Sequence, residues 1–123
     1  MNQDLHFTID NQTFLKLKSS EVTLNEILKE HLLNQVELKE ALLDLHPRNG
    51  NPSVPSCEIE EAKTIFNSNT FSGSFILNYT LEYYFSCDDM SNTHQHTDEF
   101  KISFDERQLT FRVSLPIKWE LDN

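Results

Sequence analysis

The sequence predicts an α+β fold: a curved antiparallel β-meander of long strands packed on one or two N-terminal helices, with an N-terminal β-hairpin. The segment FSGSFILNYTLEYYFSC, residues 71–87, alternates strictly, with Phe75, Leu77, Tyr79, Leu81, Tyr83 and Phe85 on one face and mostly polar residues on the other. Period-two alternation over that length defines a half-buried strand. Two further segments alternate in the same way, and between residues 23 and 46 the apolar spacing switches to that of a helix.

At the N-terminus, Leu5, Phe7 and Ile9 alternate with polar residues, Asp10-Asn11-Gln12 has turn chemistry, and residues 13–18 alternate again. This predicts the hairpin. Thr23 and Glu26 have the T-x-x-E spacing of a capping box, followed by Leu24, Ile27 and Leu28 on one helical face. The apolar stripe loses phase near Asn34, where Asn34 and Glu37 repeat a capping-like pattern, and resumes at Leu38, Leu42 and Leu45. One kinked helix or two short ones fit equally, and Pro47 ends either.

Residues 46–56, HPRNGNPSVPS, form a loop rich in proline and turn formers. Ile59, Ala62, Ile65 and Phe66 then fall at helical spacing, which predicts a short helix, with an irregular strand as the alternative. After the 71–87 strand, Phe100, Ile102 and Phe104 line a second strand, Asp105-Glu106-Arg107 turns, and Leu109 to Leu121 form a third. Gly73 and Pro116 suit bulges or edge bends that let such strands curl.

A chain of 123 residues suits one domain, 1–123, and buries enough surface to fold without disulfide or metal. The opening MNQDLHFTID has neither the basic nor the apolar region of a signal peptide, and no apolar run is long enough for a membrane span, so a soluble cytoplasmic protein is expected. Cys57 and Cys87 lack CxxC spacing and are read as reduced core thiols.

The formal charge is −10, and residues 57–99 hold eight acids against Lys63 alone. Such a field repels phosphate backbones and anionic lipid, so neither nucleic acid nor membrane is an expected partner, whereas a basic protein is.

The densest chemistry lies in CDDMSNTHQHTDE, residues 87–99. With His94 on a strand, His94, His96 and Asp98 share the face of Phe100, a spacing from which a facial metal set could be built. The order His94, His96, Glu99 has a superficial similarity to the H-x-H then Glu motif of cupins, but the spacing, the missing leading glycine and the lack of a later histidine set it apart. Asp88, Asp89, Ser91 and Asn92 are turn formers, so the stretch is read as a polar hairpin tip with solvated histidines. No catalytic residue, metal or cofactor is expected.

The expected function is therefore binding. A small acidic module would occlude a basic protein, such as a toxin domain, as immunity proteins and antitoxins do. With odd residues of 71–87 buried, Glu82 and Tyr84 face outward; Asp88, Asp89, Asp98 and Glu99 complete the expected interface, with Tyr84 as anchor and the carboxylates steering encounter. Two alternatives remain. A curved-sheet pocket like that of the nuclear-transport-factor-like class would use Tyr79, Tyr83, His96 and Asp98, by fold-level analogy alone. A chaperone-like homo-oligomer would pair long, unguarded strand edges.

Overall fold

A computed structural model describes residues 4–46, 52–85 and 90–116. The order of elements is β1 (Leu5–Thr8), α1 (Asn11–Lys18), α2 (Leu24–His31), α3 (Val36–Asp44), β2 (Ser53–Ile59), a single 3-10 turn (Glu61–Lys63), β3 (Ile65–Asn67), β4 (Ser72–Phe85), β5 (Met90–Asp105) and β6 (Thr110–Ser114). The strands form one curled antiparallel sheet in the order β1-β6-β5-β4-β2, with β3 also pairing with β4. The expected α+β architecture with a curved antiparallel sheet is present.

The β4–β5 hairpin is the spine of the sheet, in continuous register from Ser72↔Ser103 to Phe85↔Met90. Its alternation buries Phe75, Leu77, Tyr79 and Leu81 of β4 against Phe100, Ile102 and Phe104 of β5. Phe75 and Phe100 stack at 5.3 Å, and Phe104 meets Phe111 of β6 at 4.5 Å. Leu24, Ile27, Leu28, Leu38 and Leu42 from the helices join the same core.

The N-terminal hairpin is not formed. Leu5–Thr8 is a strand, but residues 13–18 belong to a helix, because Asp10 is an N-cap whose Oδ1 accepts the Thr13 backbone N–H at 2.7 Å. Hydrogen bonding from the Thr13 side chain, and next from its backbone N–H, holds the Asp10 carboxyl below its ordinary value. Phe14 and Leu17, three apart, face the core, whereas Leu15 is 54% exposed, so the apparent alternation of Leu15 and Leu17 marks no face.

The capping box at Thr23 is complete, with Thr23 N–H donating to Glu26 Oε1 at 2.9 Å and Glu26 N–H to Thr23 Oγ1 at 3.2 Å. Of the two helical readings, two short helices are correct. α2 ends at His31 with Leu32 as its C-cap, and α3 starts from an N-cap at Gln35, one residue beyond the capping-like Asn34, with Gln35 Nε2 donating to the His31 carbonyl at 2.9 Å. Pro47 lies outside the described residues.

The helix expected around 57–66 is also corrected. Ser53–Ile59 pairs with β4, one 3-10 turn intervenes, and Ile65–Asn67 pairs with β4 again. Ala62 and Ile65 are exposed, so the helical spacing encloses no buried stripe, and a short apolar run carries no decisive period. Pro55 sits where the β2 register shifts between Ser53 and Ser56, an edge bulge in which its missing N–H is tolerated.

Gly73 serves close approach rather than a bulge: it pairs with Phe66, and a Cβ there would collide with the Ile65 carbonyl oxygen. Pro116 lies just beyond β6 rather than within it, and 117–121, the expected continuation of that strand, lies outside the described residues. Among the described residues no helix is long and apolar enough to cross a membrane.

Leu81→Asp or Phe111→Asp should abolish cooperative unfolding by circular dichroism, since each places an unpaired carboxylate at a fully buried position. A folded Leu81→Asp protein would refute the register. Gly73→Ala should cost about 1–3 kcal/mol in urea denaturation, because the obstacle is backbone and cannot rotate away.

Candidate functional site

Beyond Phe100 the inner face of β5 turns polar, presenting Asp98, His96 and His94 in succession. Across the sheet these residues stand opposite Leu77, Tyr79 and Leu81, and on the far side Cys57 of β2 stands opposite Tyr79. Both histidines therefore lie within strand β5 rather than in a turn, His94 exposed to solvent and His96 half-buried. Residues 86–89 of the expected tip, with Cys87, Asp88 and Asp89, lie outside the described residues.

Tyr79 is the centre of a polar array. Its hydroxyl donates to Asp98 Oδ2 at 2.6 Å and lies 2.7 Å from His46 Nε2. A phenol has one proton, so with that proton on Asp98 the His46 Nε2 must carry its own hydrogen and donate it to Tyr79. The order of donation is His46 to Tyr79 to Asp98. The His46 ring also packs on His96, centroids 4.2 Å apart, and His96 stacks on Tyr79 at 5.6 Å.

Burial first, then the hydrogen bond to Asp98 and its charge, drive the Tyr79 hydroxyl far above the ordinary tyrosine value. Tyr79 thus stays protonated and acts as a connector, not as an acid or base near neutrality. Burial likewise raises the Cys57 thiol, against a smaller lowering by Lys39, leaving a protonated thiol of weak nucleophilicity. Among the described residues, no three His, Cys, Asp or Glu side chains are grouped so as to hold a metal ion.

The described members of the expected acidic interface do not share one surface. Glu82 is half-buried on the outer face between Thr93 and Ser53, with exposed Tyr84 two residues along. Glu99 shares that face but sits level with Ile76, six residues from Glu82, a separation of roughly 20 Å along the strand. Asp98 is on the opposite, inner face, accepting from Tyr79, so it cannot belong to one surface with Glu82, Tyr84 and Glu99. Glu60 and Glu61 are occupied by Lys63 and Lys29.

Acids do converge elsewhere. Between β1 and α3 runs a groove of about 610 Å³ whose walls carry Asp4 and His6 on one side and Val36, Glu37, Glu40 and Asp44 on the other. Among the described residues its lining includes four carboxylates and no lysine or arginine. Asp4 meets Arg112 at 3.5 Å outside the groove. Glu37, Glu40 and Asp44 recur at i, i+3 and i+7, one face of a helix, a signal present in the sequence once α3 is placed. His46 gave no such signal, since its partners are far along the chain.

Tyr79→Phe should leave Asp98 without its donor and His46 without its acceptor, lowering stability by about 1–3 kcal/mol in chemical denaturation. It also removes a pH dependence. The folded-state value is raised above the unfolded one, near 10, so the neutral hydroxyl contributes in full below pH 10. Above pH 10 the unfolded chain releases this proton first, and stability falls by up to about 1.4 kcal/mol per pH unit. The difference between wild type and Tyr79→Phe should shrink as pH rises from 10; a constant difference would refute the buried, protonated hydroxyl.

No protein-family model matches the sequence, no curated protein matches it, and no solved structure matches the fold.

Proposed function

We propose that this chain is a binding module that occludes a basic protein partner, in the manner of an immunity protein or antitoxin, and that it does so through the groove between β1 and α3. The observation behind this reading is the lining of that groove, which among the described residues has four carboxylates and no lysine or arginine, with Val36 70% exposed at its rim. Carboxylates on low-dielectric walls focus a field that speeds encounter with a cationic surface, and an exposed aliphatic side chain adds apolar contact once docked. The overall charge of −10 acts in the same direction. The outer-face residues Glu82, Tyr84 and Glu99 become secondary to it, being spread along the hairpin.

The curved-sheet ligand-binding alternative rests on the inner array of His46, Tyr79, His96 and Asp98. It is the weaker reading, because the Tyr79 hydroxyl already both donates and accepts and is held neutral.

The test is co-expression with proteins encoded beside this gene, capture on the immobilised chain, and association kinetics of any partner recovered. A basic partner is expected, with an association rate that falls steeply as salt rises. Glu40→Lys/Asp44→Lys should slow association about tenfold at low salt, with circular dichroism verifying that the variant keeps its fold. Glu99→Lys should change the rate less than twofold. Recovery of acidic partners alone, or indifference to Glu40→Lys/Asp44→Lys, would refute this function.

A further inference from the structure

We propose that the outer face of the sheet, where β4, β5 and β6 lie side by side, binds a small phosphate monoester in a depression between Lys101 and Arg112. This inference does not depend on the binding function proposed above.

The long strands β4 and β5, expected from the sequence to expose their edges, are interior instead, so what they offer to solvent is a face. On that face lies a depression of about 550 Å³. The strand register lays out its floor in two rows. Ser74, Lys101 and Ser114 stand side by side across β4, β5 and β6, and Ser72, Ser103 and Arg112 form the next row. Because Phe75, Ile102, Phe111 and Val113 are buried on the inner face, these six alternate side chains turn outward. Ser74, Ser103 and Ser114 are half-buried all the same, while Lys101 and Arg112 are exposed. Lys101 and Arg112 are diagonal neighbours, roughly 7 Å apart at Cβ, so two long cationic side chains can close on one anion over hydroxyl donors.

The charge of this region is the reverse of the molecule's. The chain has 20 acids against 10 lysines and arginines, yet among the described residues the lining of the depression includes Lys101 and Arg112 and no aspartate or glutamate. Both cations already have ion-pair partners outside that lining. Lys101 Nζ lies 4.0 Å from Glu99, and Arg112 Nε lies 3.5 Å from Asp4. Each contact is longer than the roughly 2.8 Å of a charge-assisted hydrogen bond, and exposed pairs of this kind hold little energy. A tetrahedral oxyanion can therefore gain bonds that these carboxylates do not make, with the guanidinium fork suited to two of its oxygens.

Size and shape of the ligand follow from two further features. At physiological salt, charges are screened beyond about 8 Å, so a small dianion responds to the two cations beneath it, whereas a long polyanion would also lie over the acidic remainder of the surface. Ile65 of β3 stands next to Ser74 at the wall of the depression and is 64% exposed. It gives the organic part of an ester an apolar surface to cover.

The probe is phenyl phosphate, titrated into the isotope-labelled protein and followed by amide chemical shifts. It should saturate with a Kd below about 1 mM, with the largest shifts at residues 72–74, 101–103 and 112–114. Inorganic phosphate should bind at least threefold more weakly, because it leaves Ile65 uncovered, and phenol should not bind. Arg112→Gln and Lys101→Gln should each weaken phenyl phosphate at least fivefold. Arg107→Gln removes an exposed cation outside the depression and should change binding less than twofold. Asp4→Asn and Glu99→Gln, which remove the competing carboxylates, should each tighten it about twofold. All five substitutions fall on exposed side chains, and circular dichroism verifies the fold of each. Failure to saturate below about 1 mM, shifts centred elsewhere, equal loss in Arg112→Gln and Arg107→Gln, or phenol binding as tightly as its phosphate would each overturn the proposal. Tighter binding of an eight-residue oligothymidylate than of phenyl phosphate would give the site to nucleic acid and overturn it as well.

Discussion

The pairing of β4 with β5 is the constraint from which the rest of the molecule follows. Fourteen consecutive residue pairs run from Ser72↔Ser103 to Phe85↔Met90 without a bulge. A slip of one residue would turn Phe75, Leu77, Tyr79 and Leu81 to the other face, so burial fixes the register and the register fixes everything placed on it. The outer edge of β5 carries β6 and then β1, while the outer edge of β4 carries β3 and β2 in sequence along its length. The same register decides that Asp98 faces inward and Glu99 outward, and so divides the acids between two surfaces.

Elements with long, one-sided periodicity were legible in the sequence. β4, the part of β5 from Phe100 to Phe104 and the buried half of β6 follow the alternation, whereas the polar first part of β5 reads as a hairpin tip and is strand; Thr23 with Glu26 marks the start of α2 because a capping box depends on residues three apart and on nothing distant. α1 was hidden because Leu15 is apolar but faces solvent, which made a helix look like a strand, although Asp10 three residues before Thr13 was the cap in plain view. The 57–66 segment misled for the opposite reason: its apolar residues fell at helical spacing without forming a buried face, and its pairing with β4 is a property of tertiary structure.

The site was only partly legible for a related reason. Alternation along β5 already placed His94, His96 and Asp98 on the face of Phe100, but the pairing of His96 with Tyr79 depends on a register that alternation does not supply. It could not supply His46, which arrives from the end of α3, thirty-three residues before the tyrosine it bonds. Charge along the chain was the weaker guide to charge in space. Residues 57–99 hold most of the net charge, yet Glu60 and Glu61 neutralise lysines, Asp98 is turned inward and Glu99 stands apart, while the acids that converge come from residues 4–44.

Helix α3 connects the two polar regions. Its Glu37, Glu40 and Asp44 line the groove, its Leu38, Ala41 and Leu42 enter the core, and two residues past its end His46 donates to Tyr79. A nine-residue helix is too short to be stable alone, so its position is set by what it buries and by how its end is held. Buried leucines fix the distance of α3 from the sheet, but apolar packing is non-directional and leaves sliding along the helix axis weakly resisted. The bonds from His46 to Tyr79 and from Tyr79 to Asp98 have direction, and Tyr79 is anchored in the most rigid strand pair of the molecule. That tie fixes the end of α3, and with it the acidic wall of the groove, to the β4–β5 pair. Under the proposed binding function, a wall held in place beforehand would lose little freedom on docking, and that saving would add to the affinity.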